Sequence, residues 1–475
     1  MTASRLVVVS NRLPITIEEN GKEIMLRPST GGVVSALLPI LRETGGAWVG
    51  WTGTFYDDYA SALLQGSCST ENYSFEPVFL SAAERASYYQ GFSNEIIWPL
   101  FHGLPSRCQF DSTYWRGYSE VNEKFADAVE CASDRNSFIW IHDYHLMVLA
   151  RSLRLRGMKQ RLGYFHHIPF PAPDIFETLP WRNEILHALL HFNKIGLQTE
   201  RDRNNFIGCV ERLVNNVHIS QLDDDVVIRF RGESTAVGVY PISIDYGQYA
   251  DRGAQQVVTA AADTIANGLH ARVVLGVDRL DYTKGIPERL CAFQKFLEST
   301  PDMRGRVTMV QIVVPSREEI SEYKQLKLRI ETMVSKINGE YGRPGWIPIH
   351  YFYRSVSETE LSSFYRAADI ALVTPLKDGM NLVAKEFCAS RVDNQGVLIL
   401  SEFAGAAEEL KCGAVIVNPH DTDAVASSID KGLQMGRSEQ RIRMEKMRAL
   451  IRANDVFEWS RSFTSQYKAA DCVSA

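Results

Sequence analysis

The sequence predicts an α/β protein with two doubly wound, Rossmann-like domains. Short apolar runs, which suit buried parallel strands, alternate with stretches of helical periodicity along the whole chain. Most of these runs end in polar or charged residues, and such strand ends form the ligand sites of doubly wound sheets. The chain of 475 residues is 45% hydrophobic, which is enough for two or three domains with cores of their own.

The composition argues against several classes of partner. A formal net charge of −6 gives no strongly basic face for nucleic acid. No apolar run approaches the length of a membrane span, and Met1–Leu6 lacks the apolar region of a signal peptide. The eight cysteines are scattered without a C-x-x-C pair, as is usual for free thiols. We therefore expect a cytoplasmic protein that binds neither nucleic acid nor membrane.

The first domain is placed at residues 1–243, and several of its predicted strands end in polar residues. These ends are Asn11-Arg12, His142-Asp143-Tyr144-His145, His166-His167 and Thr199-Glu200. Because the carboxyl ends of parallel strands meet at one edge of a sheet, these side chains should converge. They form the first half of a predicted site.

Two further stretches of this domain suit a sugar phosphate. Gly31-Gly32 enters a predicted helix, where the backbone can approach a ligand closely, although an ordinary turn fits as well. A capping box at Ser81–Glu84 opens a helix, and aromatic residues follow it through Trp98. Such rings stack on sugar faces, and they equally suit an aromatic core.

The clustered histidines raise the possibility of a metal site, which their spacing does not support. The H-D-x-H stretch at residues 142–145 and the pair His166-His167 match no standard zinc spacing. Asp223–Asp225 is interpreted as a surface turn. The sequence therefore predicts neither a metal nor a cofactor.

The second domain is placed at residues 244–455, and it carries cations at its strand ends. After a helix at 251–267, a strand at 271–277 ends in D-R-L-D-Y-T-K-G, which contains Arg279 and Lys284. An arginine fork and a lysine point charge before a helix form a competent clamp for a diphosphate, with two solvated cations as the alternative. Arg317 follows the next strand, 306–314, on the same type of edge.

The stretch from the strand at 370–373 to Glu386 is the centre of this domain. Asp378, Gly379 and Asn381 lie in the turn, and a helix begins near Asn381. The start of that helix would present unpaired N–H groups and the positive end of its dipole to an anion. The last helices are predicted at 421–454 and from residue 456, and the segment 456–475 is expected to pack back on the first domain.

Together these features favour a glycosyltransferase of the GT-B type, with two domains facing across a cleft. The second domain suits a nucleoside diphosphate and the first suits a sugar. In such an enzyme Arg and Lys can neutralise the leaving diphosphate in place of a metal.

The residues also resemble a known family. The motifs are V-V-V-S-N-R-L-P, the Gly-Gly pair, Y-Y-x-x-F-S-N-x-x-x-W-P, W-I-H-D-Y-H-L, H-I-P-F-P, Y-P-I, V-D-R-L-D-Y-T-K-G, P-S-R and T-P-L-x-D-G-M-N-L-V-A-K-E. They extend from Leu6 to the C-terminal helix, and in them the chain resembles the trehalose-6-phosphate synthases. The resemblance implies transfer of glucose from a nucleotide sugar, with UDP-glucose expected, to glucose 6-phosphate with retention of configuration.

For the donor, the resemblance implies contacts to the diphosphate, the glucose, the ribose and the base. The residues are Gly31, Gly32, Arg279, Lys284, Val356, Asp378, Leu382, Val383, Ala384, Lys385 and Glu386. The diphosphate would be bound by Arg279, Lys284 and the N–H groups of residues 382–385, and the two glycines would close over it. Asp378 would hold glucose hydroxyls, Glu386 the ribose, and the backbone near Val356 the base.

For the acceptor, the resemblance implies a phosphate site and a sugar site. The residues are Arg12, Trp51, Tyr89, Trp98, Asp143 and Arg317. Arg12 and Arg317 would hold the phosphate beside Tyr89. The catalytic residues implied are Arg279, Lys284, His167 and Asp143, in a front-face reaction in which the departing diphosphate oxygen accepts the proton of the incoming hydroxyl.

Two departures and two alternatives accompany this interpretation. The segment Thr16–Pro28 is longer and more charged than in short bacterial relatives, and the absence of a D-x-D-G-T motif argues against a fused phosphatase. One alternative is a related synthase with another acceptor, such as glucosylglycerol-phosphate synthase. The other is a catalytically silent, regulatory protein that binds sugar phosphate. The sequence leaves the base of the donor and a homo-oligomer open.

Overall fold

The computed structural model describes residues 5–20, 23–28, 31–53 and 72–465. The chain divides into two compact units: Met1–Ile242 with Phe457–Ala475, and Ser243–Val456. The sequence-based boundary at 243/244 lies one residue from this division. The α/β fold class with two parallel-sheet units is confirmed.

In the described part of the chain, the first unit contains a nine-stranded sheet and a separate two-stranded hairpin. The strands are β1 (Leu6–Arg12), β2 (Ile15–Asn20), β3 (Glu23–Pro28), β4 (Gly46–Trp51), β5 (Tyr73–Val78), β6 (Phe138–His142), β7 (Arg161–Phe165), β8 (Lys194–Leu197), β9 (His218–Leu222), β10 (Asp225–Phe230) and β11 (Glu233–Val239). The sheet order is β5-β4-β1-β6-β7-β8-β11-β10-β9, and β2 pairs with β3. The segment Thr16–Pro28 therefore lies almost entirely in this antiparallel hairpin.

Parallel register brings the strand ends of the first unit together. Adjacent strands run parallel from β5 through β4, β1, β6, β7 and β8 to β11, and β10 is antiparallel to both of its neighbours, β11 and β9. Arg12 at the end of β1 pairs with Trp51 at the end of β4, and His142 pairs with Phe165. The predicted convergence of these ends follows from this register. Of the three aspartates predicted to form a surface turn, Asp223 and Asp224 lie in the β9–β10 turn, whereas Asp225 is the first residue of β10.

Helices flank this sheet. They are Gly32–Thr44, Ala82–Glu84, Arg85–Ile97, Trp98–Phe101, Ser112–Ala132, Leu149–Leu155, Pro173–Phe176, Arg182–Leu189, Glu200–Leu213 and Val456–Thr464, the last beginning at the final residue of the second unit. The last helix packs Trp459 and Phe463 against Trp140 of β6 and Phe165 of β7. It thereby completes the core of the first unit.

The second unit has a six-stranded parallel sheet in its described residues. The strands are β12 (Arg272–Arg279), β13 (Val307–Val314), β14 (Ile349–Tyr353), β15 (Ile370–Val373), β16 (Val397–Ser401) and β17 (Val415–Val417), in the order β14-β13-β12-β15-β16-β17. Its helices are Tyr246–Ala254, Gln256–Leu269, Ile286–Ser299, Ser321–Tyr341, Glu358–Ala367, Leu382–Ser390, Ala406–Leu410, Thr422–Gln434 and Arg437–Ala453. Apolar faces of strands and helices form one buried core, which includes Phe293, Ile330 and Ile399.

Three predicted helices differ from the observed ones. The helix expected at 251–267 is two helices, because Gln255 has an extended backbone between them. The helix expected at 421–454 is interrupted at Met435 and Gly436, which are also extended. The helix that opens with the capping box at Ser81–Glu84, which the sequence predicts to run through Tyr88 and Tyr89, continues to Phe101.

The described residues contain no helix that is long and apolar enough to cross a membrane. Within the same part of the chain, six cysteines have free thiols, and no group of three metal-ligating side chains is placed to hold a metal ion.

Candidate active site

Arg12 is the central cation of the first unit. It ends β1, and its guanidinium carbon lies 4.2 Å from the centre of the Trp51 ring. Gly53 leaves the necessary space, since a Cβ at this position would lie 2.0 Å from Arg12 Nη1. Burial lowers the pKa of Arg12 despite the nearby Tyr89. Among the described residues Nη1 is buried without a hydrogen-bond partner, so this donor is available to an anion.

Trp51, the ring under this arginine, belongs to a cluster of aromatic side chains. Tyr89 meets Trp51 edge-on at 5.9 Å and stacks on His145 at 5.9 Å. Trp98 contacts Tyr144 with ring centres 5.8 Å apart. Trp51 and Trp98 are 1% and 4% exposed, so they shape the site mainly as packed support.

A π-helix presents Tyr89. Residues Arg85–Ile97 form it, and beyond its end the N–H of Trp98 donates to the carbonyl of Ser93, five residues earlier. The Asn94 amide donates to the Tyr89 carbonyl at 2.6 Å, and the Tyr88 hydroxyl donates to Asn11 at the end of β1. π-helices are usually single turns and are frequent at functional sites, so this longer π-helix is consistent with a site beside Tyr89.

Asp143 and His167 lie together at the ends of β6 and β7. Asp143 has a φ of 75°, and its N–H donates to the Phe165 carbonyl at 2.8 Å. Its Oδ1 accepts the N–H of His167 at 3.3 Å, and its Oδ2 lies 4.0 Å from His145 Nδ1. The left-handed backbone of Asp143 thus turns the carboxylate across the strand ends.

A second histidine supports His167. His142 Nδ1 lies 3.1 Å from His167 Nε2, so the two rings share one hydrogen bond. Burial, with the adjacent His166, lowers the pKa of His167 to about 3. Burial, with His167, lowers the pKa of His142 well below its usual value. Both rings are therefore neutral at pH 7.

Gly31 and Gly32 lie at the start of the helix Gly32–Thr44, and both are exposed. The Gly31 carbonyl accepts the N–H of Ser35 at 2.9 Å, the first bond of that helix. A Cβ on Gly31 would meet no described atom within 4 Å, so the backbone is open to an approaching group.

In the second unit, Lys284 and Asp378 form an ion pair. Lys284 lies in the short helix Tyr282–Lys284 after β12, and its Nζ is 2.5 Å from Asp378 Oδ2 in the turn after β15. Asn381 also donates to that oxygen at 3.1 Å. Arg279 ends β12 with an exposed side chain that contacts no described acceptor. Two cations therefore lie at one strand end, one of them already paired.

The helix Leu382–Ser390 begins beside this pair. Asn381 precedes it with a left-handed φ of 74°, and the N–H groups of Leu382, Val383 and Ala384 lie in its first turn. Lys385 is buried, and its ammonium group pairs with Glu409 at 2.6 Å, so its side chain does not contribute a free charge to this helix start.

Glu386 and Val356 complete the predicted donor residues. Glu386 accepts a hydrogen bond from the Tyr365 hydroxyl at 2.7 Å, and burial raises its pKa. Val356 is half-buried in the loop between β14 and the helix Glu358–Ala367. Both lie on the elements that follow parallel strands.

Arg317 is held by its own unit. Its Nη1 donates to Asp281 at 3.2 Å and to the Tyr323 hydroxyl at 2.5 Å, and its φ is 49°. Burial would raise the pKa of Asp281, but the charges of Arg317 and Lys284 lower it. Arg317 is therefore a cation whose position is fixed by Asp281 and Tyr323.

Sequence reasoning missed three contributors: His142 as a partner of His167, the tyrosine that binds Glu386, and a buried arginine, Arg289, behind Lys284. Arg289 could have been found, because it occupies an apolar position of its helix between Ile286 and Phe293. The tyrosine, Tyr365, is distant in sequence and gives no local signal.

The second unit has cations and a helix start after its strands, and the first has a polar, aromatic cluster. These are features expected of a glycosyltransferase that uses a nucleotide sugar. The family model described as glycosyltransferase family 20 matches residues 4–469. The chain belongs to this family.

Relatives and solved structures agree with this assignment. The chain is 39% identical over 472 residues to a bifunctional trehalose-6-phosphate synthase/phosphatase of Thermoproteus tenax, covering 97% of this chain and 63% of the relative. It is 39% identical to the trehalose-6-phosphate synthase of Mycolicibacterium smegmatis, covering 97% of this chain and 92% of the relative.

Two solved structures have the same fold. A protein from E. coli bound with UDP-2-fluoro glucose has a TM-score of 0.86 at 36% identity, with 97% of this chain and 98% of that chain covered. A UDP-forming α,α-trehalose-phosphate synthase from Burkholderia xenovorans in complex with glucose-6-phosphate has a TM-score of 0.87 at 33% identity, with 97% and 99% covered.

Proposed function

We propose that this protein is an α,α-trehalose-6-phosphate synthase. It transfers glucose from UDP-glucose to glucose 6-phosphate with retention of configuration. The Lys284–Asp378 pair beside Arg279 and the start of the helix Leu382–Ser390 carries this proposal. Cations and helix N–H groups suit a diphosphate, while a carboxylate suits the hydroxyls of the sugar attached to it. The ligands named for the E. coli and Burkholderia structures support the donor and acceptor.

In the proposed reaction, the bond between glucose C1 and the diphosphate oxygen breaks, and C1 bonds to the acceptor hydroxyl oxygen on the same face. The departing oxygen takes the hydroxyl proton. Arg279, Lys284 and the N–H groups of residues 382–384 stabilise the negative charge that develops on this oxygen. His167 and Asp143 orient the donor glucose and the acceptor, which lowers the barrier by fixing their approach.

The acceptor phosphate is assigned to Arg12. The Nη1 donor of Arg12 is buried, and the guanidinium is fixed in position over Trp51. A guanidinium fixed in this way suits the dianionic phosphate of glucose 6-phosphate. Arg317 is the second cation of this proposal. We place the reaction in the cytoplasm, since six described cysteines are free thiols.

Product analysis tests the function. Purified protein is incubated with UDP-glucose and glucose 6-phosphate in EDTA, and a non-reducing disaccharide phosphate and UDP are expected in equal amounts. GDP-glucose and ADP-glucose then test the base, and glycerol 3-phosphate tests another acceptor. Product with glycerol 3-phosphate alone would identify the related synthase. Binding of glucose 6-phosphate without turnover of any donor would identify a regulatory protein.

A further inference from the structure

A fully buried arginine, Arg289, lies behind the turn that carries Lys284. It belongs to the first turn of the helix Ile286–Ser299, and its side chain is 0% exposed. It forms an ion pair through Nη1 with Asp278 of β12, whose side chain is 2% exposed. A buried charge is unfavourable unless it is paired and hydrogen-bonded, so the positions of its partners are tightly constrained.

The same guanidinium bonds to both turns of the candidate donor site. Its Nη2 donates to the carbonyl of Lys284 at 3.3 Å, and its Nε donates to Thr374 Oγ1 at 3.0 Å, directly after β15. Its Nη1 also donates to Gln311 of β13 at 3.2 Å. One rigid, planar group thus connects the strands β12, β13 and β15 with the backbone of Lys284.

Two glycines allow this arrangement. A Cβ on Gly276 would lie 2.8 Å from Arg289 Nη1, within the space of the guanidinium. A Cβ on Gly285, where φ is 65°, would lie 2.4 Å from the carbonyl oxygen of Thr374. The two turns are also joined directly, because the Leu376 N–H donates to the Thr283 carbonyl at 2.7 Å. The packing leaves little freedom between Lys284 and the turn of Asp378.

We propose that Arg289 is a positioning residue that acts through Lys284 on the donor diphosphate. This inference rests on the proposed function, in which Lys284 binds that diphosphate. Arg289 fixes the Lys284 backbone against Thr374, and this sets where the ammonium group meets the ligand. A lysine in its place would keep the charge opposite Asp278, but its single ammonium group could not reach both Thr374 and the Lys284 carbonyl.

The test is a double-mutant cycle with UDP as the probe. UDP affinity is measured by titration calorimetry for the wild type, Lys284→Ala, Arg289→Lys and the double variant. Each single change is expected to weaken UDP at least tenfold. The double variant should bind UDP within twofold of Lys284→Ala, because the effect of Arg289 passes through the lysine. Thr374→Val, which removes only the acceptor of Nε, should give a smaller loss in the same direction.

Arg391→Lys is the matched control. Arg391 is a buried arginine of the same unit that pairs with Asp393 and donates to the carbonyls of Tyr365, Arg366 and Ala368. Its variant should lose thermal stability as Arg289→Lys does, yet bind UDP within twofold of the wild type.

Three results would each contradict the role of Arg289 and leave the proposed function intact. They are wild-type UDP affinity in Arg289→Lys, an equal loss of affinity in Arg391→Lys, and losses that multiply in the double variant. Unchanged UDP affinity in Lys284→Ala would overturn the diphosphate clamp itself, and with it both proposals.

Discussion

The ammonium group of Lys284 lies 2.5 Å from a carboxylate oxygen of Asp378, and this contact joins the turns after two neighbouring strands, β12 and β15. In the proposed site, Lys284 binds the donor diphosphate and Asp378 binds the hydroxyls of the donor sugar. Since Lys284 is already paired, a diphosphate must share its charge with Asp378 or displace the carboxylate.

The first prediction separates these two roles. Asp378→Asn removes the competing charge but keeps the size of the side chain. UDP, which has no sugar on its diphosphate, should bind as well as to the wild type or more tightly. Turnover of UDP-glucose should fall by about tenfold or more, equivalent to about 1.4 kcal/mol of transition-state stabilisation.

Calorimetry with UDP and initial rates with UDP-glucose check this expectation. Asp423→Asn is the control, since Asp423 pairs with Lys295 on the exposed surface of the same unit. Weaker UDP binding in Asp378→Asn would contradict a competition between the carboxylate and the diphosphate for Lys284.

The second prediction concerns Arg12. Arg12→Lys keeps the charge but loses the planar fork over Trp51, so the KM for glucose 6-phosphate should rise about tenfold to a hundredfold. The KM for UDP-glucose should stay within twofold. Arg161→Lys alters another arginine–aromatic contact of the same unit, with Phe138, and should leave both constants unchanged. A rise in the KM for UDP-glucose alone would show that Arg12 binds the donor and not the acceptor.

The third prediction concerns Arg279. Arg279→Ala should lower kcat by about a hundredfold to a thousandfold, the usual effect of removing one donor that stabilises developing charge. Arg272 begins the same strand and pairs with Asp369, so Arg272→Ala should retain near-normal kcat. Initial rates at saturating substrates provide the comparison. A near-normal kcat in Arg279→Ala would show that Arg279 does not stabilise the departing diphosphate.

The fourth prediction concerns pH. Burial, with the neighbouring His102, lowers the pKa of His166 to about 3, and the ring packs between Phe101 and Phe170. Because the unfolded chain binds a proton on this histidine below pH 6.5 and the folded chain does not, the stabilisation is complete above pH 6.5. It is lost progressively as pH falls toward 3. At pH 5 the loss contributed by His166 should be about 2 kcal/mol, in addition to that of the other buried histidines.

Urea unfolding at pH 7 and pH 5 measures this difference. In His166→Gln the loss between the two pH values should be smaller than in the wild type by about that 2 kcal/mol. His218→Gln replaces an exposed histidine of the same unit and should keep the wild-type difference. Equal losses in all three proteins would show that His166 is not the titrating group.

The fold class could be predicted from the alternation of apolar runs and helical stretches, and most of the candidate site residues were chosen because they follow strand ends. Asn11-Arg12, His142-Asp143 and Arg279 come directly after apolar runs, and parallel register brings such ends together. The helix breaks at Gln255 and Gly436 were missed because helical periodicity continues on both sides of each break.

The partners of the site residues were harder to predict than the residues themselves. The pairings of Arg317 with Asp281 and of Lys284 with Asp378 join residues that are 36 and 94 positions apart. No local pattern encodes such pairs, since they depend on how the turns of neighbouring strands pack. The π-helix of residues 85–97 also escaped prediction, because its sequence is consistent with an ordinary helix.

The position of the last helix, Val456–Thr464, determines when the first unit can complete its core during synthesis. Its Trp459 and Phe463 belong to the core of the first unit, although the whole second unit, Ser243–Val456, precedes them in the chain. A ribosome therefore completes the sequence of the second unit before it supplies the final core residues of the first. The first unit is therefore the first to be synthesised and the last to have all of its core residues available.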